Sequence, residues 1–291
     1  MKDLSISGKT VVCGLIGDPV EHTMSPLMHN AAFRSKGIDY VYLPFRVGRD
    51  ELGEAIEGMR ALNMRGLNVT IPHKVAVIPF LDELDPLAEK IGAGNTIVNN
   101  EGILRGYNTD ATGFLQPLLE RGIEPEGKKA VVLGAGGASR AVSFILAEKG
   151  AGLIILNRRE EFDWAVKLAS RVSRAFSREV EALELNEANL SEALEGADIL
   201  VNATSVGMGD AGETPVPSGL LRPGLTVYDV VYGAGKTRLV AEAEKAGAGA
   251  ISGIEMLVWQ GALAFELWTG LKAPVEVMKK AISEALQENE K

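Results

Sequence analysis

The chain predicts an α/β protein of two domains. Three observations carry this expectation: short β-rich runs alternate with helical segments along most of the 291 residues, a Gly/Pro turn at Gly122-Ile123-Glu124-Pro125-Glu126-Gly127 separates two such series, and a glycine-rich loop follows the first strand of the second series. The expected architecture is an N-terminal, mostly parallel α/β domain completed by C-terminal helices (1–110 and 254–291) and a doubly wound domain over 111–253.

Residues 10–16 and 40–46 read as strands. Between them Pro26-Leu27-Met28-His29-Asn30-Ala31-Ala32-Phe33 carries apolar residues at helical spacing, with Ser25 as cap and Pro26 at the first helical position, which makes a βαβ unit. A helix is expected near 49–61, then a strand over 66–70, a short helix from Pro72, and an extended pair around 96–99 and 103–107. A helix from Ala111 to Arg121 leaves this domain. Strands of the second domain are expected at 130–133, 153–156, 180–184, 198–201 and 226–230, each followed by a helical or turn segment. Residues 255–268 are apolar on nearly every face, so that helix must be buried. Gly270 ends it, and Pro274 starts a last helix with Val275, Met278, Ile282 and Leu286 on one stripe; 287–291 should fray.

Composition removes several classes of function. With 46% hydrophobic and 24% charged residues the chain can bury a substantial core, and a net charge of −9 without a basic run argues against nucleic acid as a partner. No stretch reaches the roughly 18 apolar residues of a membrane span, and Met1-Lys2-Asp3-Leu4-Ser5 lacks the apolar segment of a secretory signal, so a cytoplasmic protein is expected. Cys13, the single cysteine, lies in an apolar run and reads as a small core residue. The three histidines, His22, His29 and His73, have no cysteine or acidic cluster beside them, so no metal site is expected.

Gly134-Ala135-Gly136-Gly137-Ala138-Ser139 follows a Val-rich strand and opens a helix, the context in which a glycine fingerprint marks a Rossmann-like dinucleotide site. Gly134 allows the tight turn, Gly136 lets a pyrophosphate approach backbone N–H groups, and Ser139 is small enough for helix and strand to pack. The strand Leu153-Ile154-Ile155-Leu156 then runs into Asn157-Arg158-Arg159, with no acid at its tip to hold a ribose 2′-hydroxyl. Two guanidiniums attract a 2′-phosphate instead, so NADP is favoured over NAD, although Glu160 and Glu161 partly offset that charge.

Lys74 ends the run Asn68-Val69-Thr70-Ile71-Pro72-His73-Lys74, and Asp110 ends Gly106-Tyr107-Asn108-Thr109-Asp110. An amine and a carboxylate among hydroxyls and amides suit proton transfer on an alcohol or ketone; the competing reading is a surface ion pair. Thr23 and Ser25 converge on a helix N-terminus that suits a small carboxylate, or Ser25 simply caps the helix. Asn95 and Asn108 can donate and accept at once, as a polyol requires. Gln260, the one neutral polar side chain in an apolar helix, needs a ligand hydroxyl or a backbone partner.

With these residues in view, the chain resembles the shikimate dehydrogenase family. The likeness runs through 17–30, 68–74, 94–96, 108–110, the glycine fingerprint, Asn157-Arg158, 202–208, 228–232 and 256–261. It implies reversible NADPH-dependent reduction of 3-dehydroshikimate to shikimate, in aromatic amino-acid biosynthesis. By resemblance Lys74 and Asp110 are the catalytic pair, and Thr23, Ser25, Thr70, Asn95, Tyr232 and Gln260 bind shikimate. Gly134, Ala135, Gly136, Gly137, Ala138, Asn157, Arg158, Arg159, Thr204, Met208, Val230, Gly253 and Met256 then contact NADP, the last two near the nicotinamide. The family usually has Ser at Thr23 and commonly Thr at Arg159. Rival readings are a broader quinate/shikimate dehydrogenase and a silent NADP-binding sensor. The expected partners are small molecules, with a homodimer left open.

Overall fold

The structure, a computed structural model, describes residues 6–208, 212–233 and 235–289. The segment Met1 to Ser5, read above as lacking a signal, lies outside the described residues. Two compact units are present, one running to Gly113 and resuming over Leu257–Ala285, the other covering Phe114–Met256.

The first unit is built from β1 (Val11–Gly17), α1 (Ser25–Lys36), β2 (Tyr40–Arg46), α2 (Leu52–Ala61), β3 (Gly66–Val69), β4 (Glu83–Leu84), α3 (Pro86–Ile91), β5 (Thr96–Asn100), β6 (Ile103–Tyr107) and the start of α4 (Thr109–Glu120). Its sheet has the order β2-β1-β3-β5-β6-β4. The pairs β1/β2, β1/β3 and β4/β6 are parallel, whereas β5 is antiparallel to both β3 and β6. Leu52, Ile56 and Met59 of α2 recur at helical spacing and pack with Ile16, Leu67, Val69 and Ile97 in one buried cluster. Such side chains stabilise the unit by about 1.5–3 kcal/mol each.

An aromatic cluster also belongs to this unit. The His29 ring stacks on Tyr42 at 4.4 Å and lies 5.2 Å from Trp268, whose Nε1 donates to the Ile97 carbonyl at 3.0 Å. Gly66 must be glycine here, because a Cβ would sit 2.0 Å from Trp268 Nε1. His29 is fully buried, neither ring nitrogen has a hydrogen-bond partner, and burial pushes its pKa down from 6.5 to about 3. Between those two values the unfolded chain takes up a proton that the folded imidazole refuses. Stability is therefore intact above the unfolded pKa and falls as the pH drops below it. Unfolding measured across about pH 6 to 4 should show wild type losing up to ~1.4 kcal/mol per pH unit more than His29→Phe, which keeps a stacked ring but no titratable group.

Two local expectations are corrected. The helix near Ser25 starts at Ser25 itself, with Met24 at the cap position, and the Thr23 hydroxyl takes the Ser25 N–H at 3.3 Å; Ser25 is not the cap. No helix starts at Pro72. The Lys74 carbonyl is taken by the Gly94 N–H at 2.8 Å, and the segment proceeds through turns to a single 3-10 turn at Ile78–Phe80. Two elements also appear in a stretch with no expectation, β4 and α3, the latter capped by Asp85, whose carboxylate accepts the Leu87 N–H.

The second unit contains β7 (Lys129–Leu133), α5 (Gly137–Glu148), β8 (Gly152–Asn157), α6 (Phe162–Phe176), β9 (Val180–Glu184), α7 (Glu187–Leu194), β10 (Ile199–Asn202), β11 (Thr226–Asp229), α8 (Arg238–Lys245) and β12 (Gly249–Ser252). Its sheet is wholly parallel, in the order β12-β11-β10-β7-β8-β9. The first strand of the unit lies in the middle and the order reverses between β7 and β10, the switch point of a doubly wound fold. Both faces of such a sheet are covered, which is why Ala130, Val131, Val132 and Leu133 are all fully buried. The α6 helix buries Ala165, Leu168, Ala169 and Val172, again at helical spacing. β12 had not been expected.

α9 (Gly253–Thr269) and α10 (Val275–Asn289) close the chain. Val258, Ala262, Ala264, Phe265 and Trp268 of α9 are buried, as the apolar composition requires. The fraying expected from Gln287 is not found at Gln287 to Asn289, which belong to α10; Glu290 and Lys291 lie outside the described residues.

Candidate active site

Strand direction concentrates the polar residues of the first unit at one sheet edge. β1 and β3 run parallel, so the segments following Gly17 and Val69 leave on the same side. β5 runs against β3, which puts its start, Asn95-Thr96, at that side too. β6 runs against β5, so its exit into Asn108-Thr109-Asp110 arrives there as well. Residues distant in sequence thus share an edge because of topology alone.

Lys74 Nζ donates to Asp110 Oδ2 at 2.6 Å, with 18% of the lysine side chain and 6% of the aspartate side chain exposed. The other carboxylate oxygen, Oδ1, accepts from Asn95 Nδ2 at 2.9 Å. An ion pair at this depth contributes little net stability, because desolvation offsets the attraction. Its presence at a polar edge therefore points to chemistry. The ammonium carries three donors and Asp110 occupies one, which leaves capacity for a substrate oxygen.

Gln260 is within reach of the same group: its Oε1 lies 3.4 Å from Asn95 Nδ2, and its Nε2 donates to the Leu257 carbonyl at 2.8 Å. The partner its buried amide requires is thus supplied by the protein itself. Gly113 fits α4 against this residue, since a Cβ there would lie 2.7 Å from the Gln260 backbone nitrogen. Asn108 is committed to the backbone, donating to the Ala93 carbonyl and accepting the Ala111 N–H. Thr23, Ser25 and Thr70 lie along the same edge, and the Thr70 methyl covers Gly17. Among the described residues no hydrogen bond joins these three to Lys74 or Asp110. Tyr232 belongs to the second unit, where it is half-buried just beyond β11.

Asn68, Thr96 and Thr109 are participants that the sequence pattern does not single out. All three are buried, and each bonds to Asn95, Asn68 through the Asn95 carbonyl. Their signal was present: amide and hydroxyl side chains in or just after short strands, among buried neighbours.

In the second unit every residue expected to meet the dinucleotide lies at or just past a strand's carboxyl end. Gly134 follows β7 with φ of +99°, and a Cβ there would sit 2.8 Å from the Ala203 carbonyl oxygen, so only glycine makes this turn. Ser139 is fully buried and donates to the Gly134 carbonyl at 2.6 Å, tying the turn to α5. Ala135 is buried, while Gly136, Gly137 and Ala138 are half-exposed, and nothing lies within 4 Å of a Cβ built on Gly136. The Arg140 N–H already bonds to the Gly136 carbonyl, so the amides of Gly137 and Ala138 are among those a helix start leaves unpaired. This open, amide-lined turn fits a pyrophosphate.

Asn157 ends β8 and donates to the Glu161 carbonyl at 2.8 Å. Arg158 and Arg159 follow, both exposed, and Arg158 pairs with Glu161 at 2.5 Å. Thr204 is committed to shaping the loop after β10, its N–H and hydroxyl both donating to Asn202 Oδ1. Met208 is exposed and Val230 half-buried. Gly253 opens α9 where a Cβ would meet the Val230 carbonyl oxygen at 2.4 Å, and Met256 is buried one turn on. Asp229 was not singled out from the sequence, yet it anchors this edge by accepting from Asn202 Nδ2, the Thr237 hydroxyl and the Val231 N–H. Burial pushes its carboxyl up, and those bonds oppose the shift.

Among the described residues no group of three or more His, Cys, Asp or Glu side chains could hold a metal ion, and no helix is long and apolar enough to cross a membrane.

A glycine-turn helix start on an all-parallel sheet and an amine–carboxylate pair on a second sheet are the parts of a dinucleotide-dependent dehydrogenase. Residues 15–97 match the shikimate dehydrogenase substrate binding domain, 119–208 the shikimate / quinate 5-dehydrogenase family, and 253–282 the shikimate 5′-dehydrogenase C-terminal domain. The chain is 51% identical over 279 residues to the shikimate dehydrogenase (NADP(+)) of Dehalococcoides mccartyi (strain CBDB1), covering 96% of this chain and 97% of that one. It is similar to a solved shikimate dehydrogenase in complex with NADP+, with TM-score 0.90 and 41% identity over 97% of this chain and 98% of that one. The shikimate 5-dehydrogenase of Thermus thermophilus, solved with NADP(H) and shikimate, gives TM-score 0.85 and 39% identity over 95% and 100% of the two chains. This chain belongs to the shikimate dehydrogenase family.

Proposed function

We propose that the protein catalyses the reversible NADP-dependent oxidation of shikimate to 3-dehydroshikimate, a step toward the aromatic amino acids. The observation that carries the residue assignment is the 2.6 Å contact between Lys74 Nζ and Asp110 Oδ2 beside the amides of Asn95 and Gln260. NADP(H), when bound, accepts or supplies the hydride at C3. In reduction the Lys74 ammonium gives a proton to the C3 oxygen as charge grows there, and in oxidation the neutral amine takes the proton of the C3 hydroxyl as the carbonyl forms. Asp110 holds that amine in line through Oδ2, while Asn95 fixes the carboxylate through Oδ1. Thr23 and Ser25 would hold the substrate carboxylate, and Thr70, Asn95, Tyr232 and Gln260 its hydroxyls.

For the cofactor, the backbone at Gly134 to Ala138 would take the pyrophosphate and Asn157, Arg158 and Arg159 the adenosine 2′-phosphate. Thr204, Met208, Val230, Gly253 and Met256 would complete the remainder of that site. A cytoplasmic location and small-molecule partners complete the reading, with a homodimer left open.

The test is near-ultraviolet absorbance of wild type with each of NADP and NAD in turn, and each of shikimate and quinate. Reduction of NADP with shikimate, at kcat/KM well above the other three combinations, is expected. No turnover with shikimate would overturn the reading, and equal turnover of quinate would favour the broader dehydrogenase.

A further inference from the structure

The buried polar groups behind Asp110 form a series whose donor directions are set by backbone atoms. Asn95 Oδ1 accepts the Thr109 N–H at 2.7 Å, and a backbone N–H can only donate. The Nδ2 of the same amide is therefore the group turned to Asp110 Oδ1. Asn68 Nδ2 faces the Asn95 carbonyl at 3.2 Å, which can only accept, so Asn68 Oδ1 takes the Tyr42 O–H at 2.8 Å. Between the two amides sits the Thr96 hydroxyl. It accepts from Asn68 Nδ2 at 3.0 Å and lies 3.2 Å from Asn95 Oδ1 and 3.1 Å from Thr109 Oγ1. With its lone pair facing Asn68, its proton goes forward to one of those two acceptors.

The donors of Tyr42, Asn68, Thr96 and Asn95 thus run one way and end on a carboxylate. Hydrogen bonds aligned in this manner, away from water, polarise one another. Thr96 is fully buried in β5, where a valine would pack without any partner to find. A sheet interior has no need of these groups for cohesion, and the end of the series is the residue that holds Lys74.

We propose that Thr96 is a positioning residue for the reaction: through Asn95 it fixes the rotation of the amide that holds Asp110, and so the direction of the Lys74 ammonium. This rests on the assignment of Lys74 and Asp110 as the reacting pair. The test is steady-state kinetics of Thr96→Val, which keeps the β-branched shape without the hydroxyl, beside Thr96→Ser and wild type. We expect kcat of Thr96→Val to fall about fivefold to tenfold, the loss of roughly one buried hydrogen bond. KM for shikimate and NADP should stay within about twofold, and Thr96→Ser should recover most of kcat. An unchanged kcat in Thr96→Val, or a serine variant as slow as the valine one, overturns the proposal. If Thr96→Val does not fold, Tyr42→Phe decides instead: it removes the far O–H and keeps the ring on His29. A fall in kcat of about twofold at unchanged KM supports the proposal, and wild-type kcat overturns it. Wild type without shikimate turnover would remove the functional reading itself, a result distinct from either.

Discussion

Replacing Lys74 by alanine lowers kcat for shikimate oxidation by about 100- to 10,000-fold, while KM for shikimate stays within a few fold. The reason is a difference between two states. In the bound ground state the substrate hydroxyl is neutral, and neighbouring amides and hydroxyls can hold it. As the hydride leaves or arrives, charge builds on the C3 oxygen, and only Lys74 in this group can exchange a proton there. Removing the amine also leaves Asp110 buried at 4% exposure with Asn95 as its remaining side-chain donor, so the variant cannot recruit the carboxylate as a substitute without first rearranging it. Lys74→Arg should remain slow, because a guanidinium does not give up its proton at working pH and its planar fork cannot take the place of a compact ammonium. Steady-state kinetics in both directions reads this out. Wild-type kcat in Lys74→Ala would remove the lysine from the mechanism.

The second large effect concerns the cofactor. The double variant Arg158→Ala, Arg159→Ala should raise KM for NADP about 100-fold and leave KM for NAD within about threefold. Charge-assisted hydrogen bonds are worth about 1.5–3 kcal/mol each, and two guanidiniums on a 2′-phosphate account for a change of that size. Arg158 is already paired with Glu161 at 2.5 Å, so part of its attraction is spent within the protein and Arg159 supplies charge that is not offset in the same way. The comparison with NAD separates loss of phosphate recognition from damage to the loop. A proportional rise in both KM values would mean that the arginines shape the β8 exit and do not read the phosphate.

What could be read in the sequence divides along physical lines. β7, β8, β10 and β11 were visible because each carries β-branched or leucine residues between turns and is largely buried by the covered faces of a parallel sheet, whereas β9 has only Val180 and Leu183 of that kind and is half-buried. β12 escaped because Gly249-Ala250-Ile251-Ser252 has one β-branched residue; its pairing with β11 makes it a strand. α3 carries good local signals in Asp85, Pro86 and Gly92, but spans only six residues, too few for periodicity to register. The helix expected from Pro72 failed for a different reason: the Lys74 carbonyl is claimed by Gly94, a residue whose proximity depends on β3 and β5 pairing antiparallel. Lys74 and Asp110 could be picked out as chemically odd, yet their distance from each other could not, since it follows from strand directions that no local pattern encodes. Gln260 shows the converse. Its burial was legible, whereas the partner that satisfies it, the Leu257 carbonyl one turn back, emerges only from the side-chain rotamer.

The central claim, that the Lys74–Asp110 pair handles the proton of the C3 hydroxyl, is tested most directly by a crystal structure of the protein with shikimate bound. The C3 oxygen should lie within about 3.2 Å of Lys74 Nζ, with Asp110 still bonded to that amine. A ring bound with C3 turned away from Lys74, beyond reach of both side chains, would contradict it.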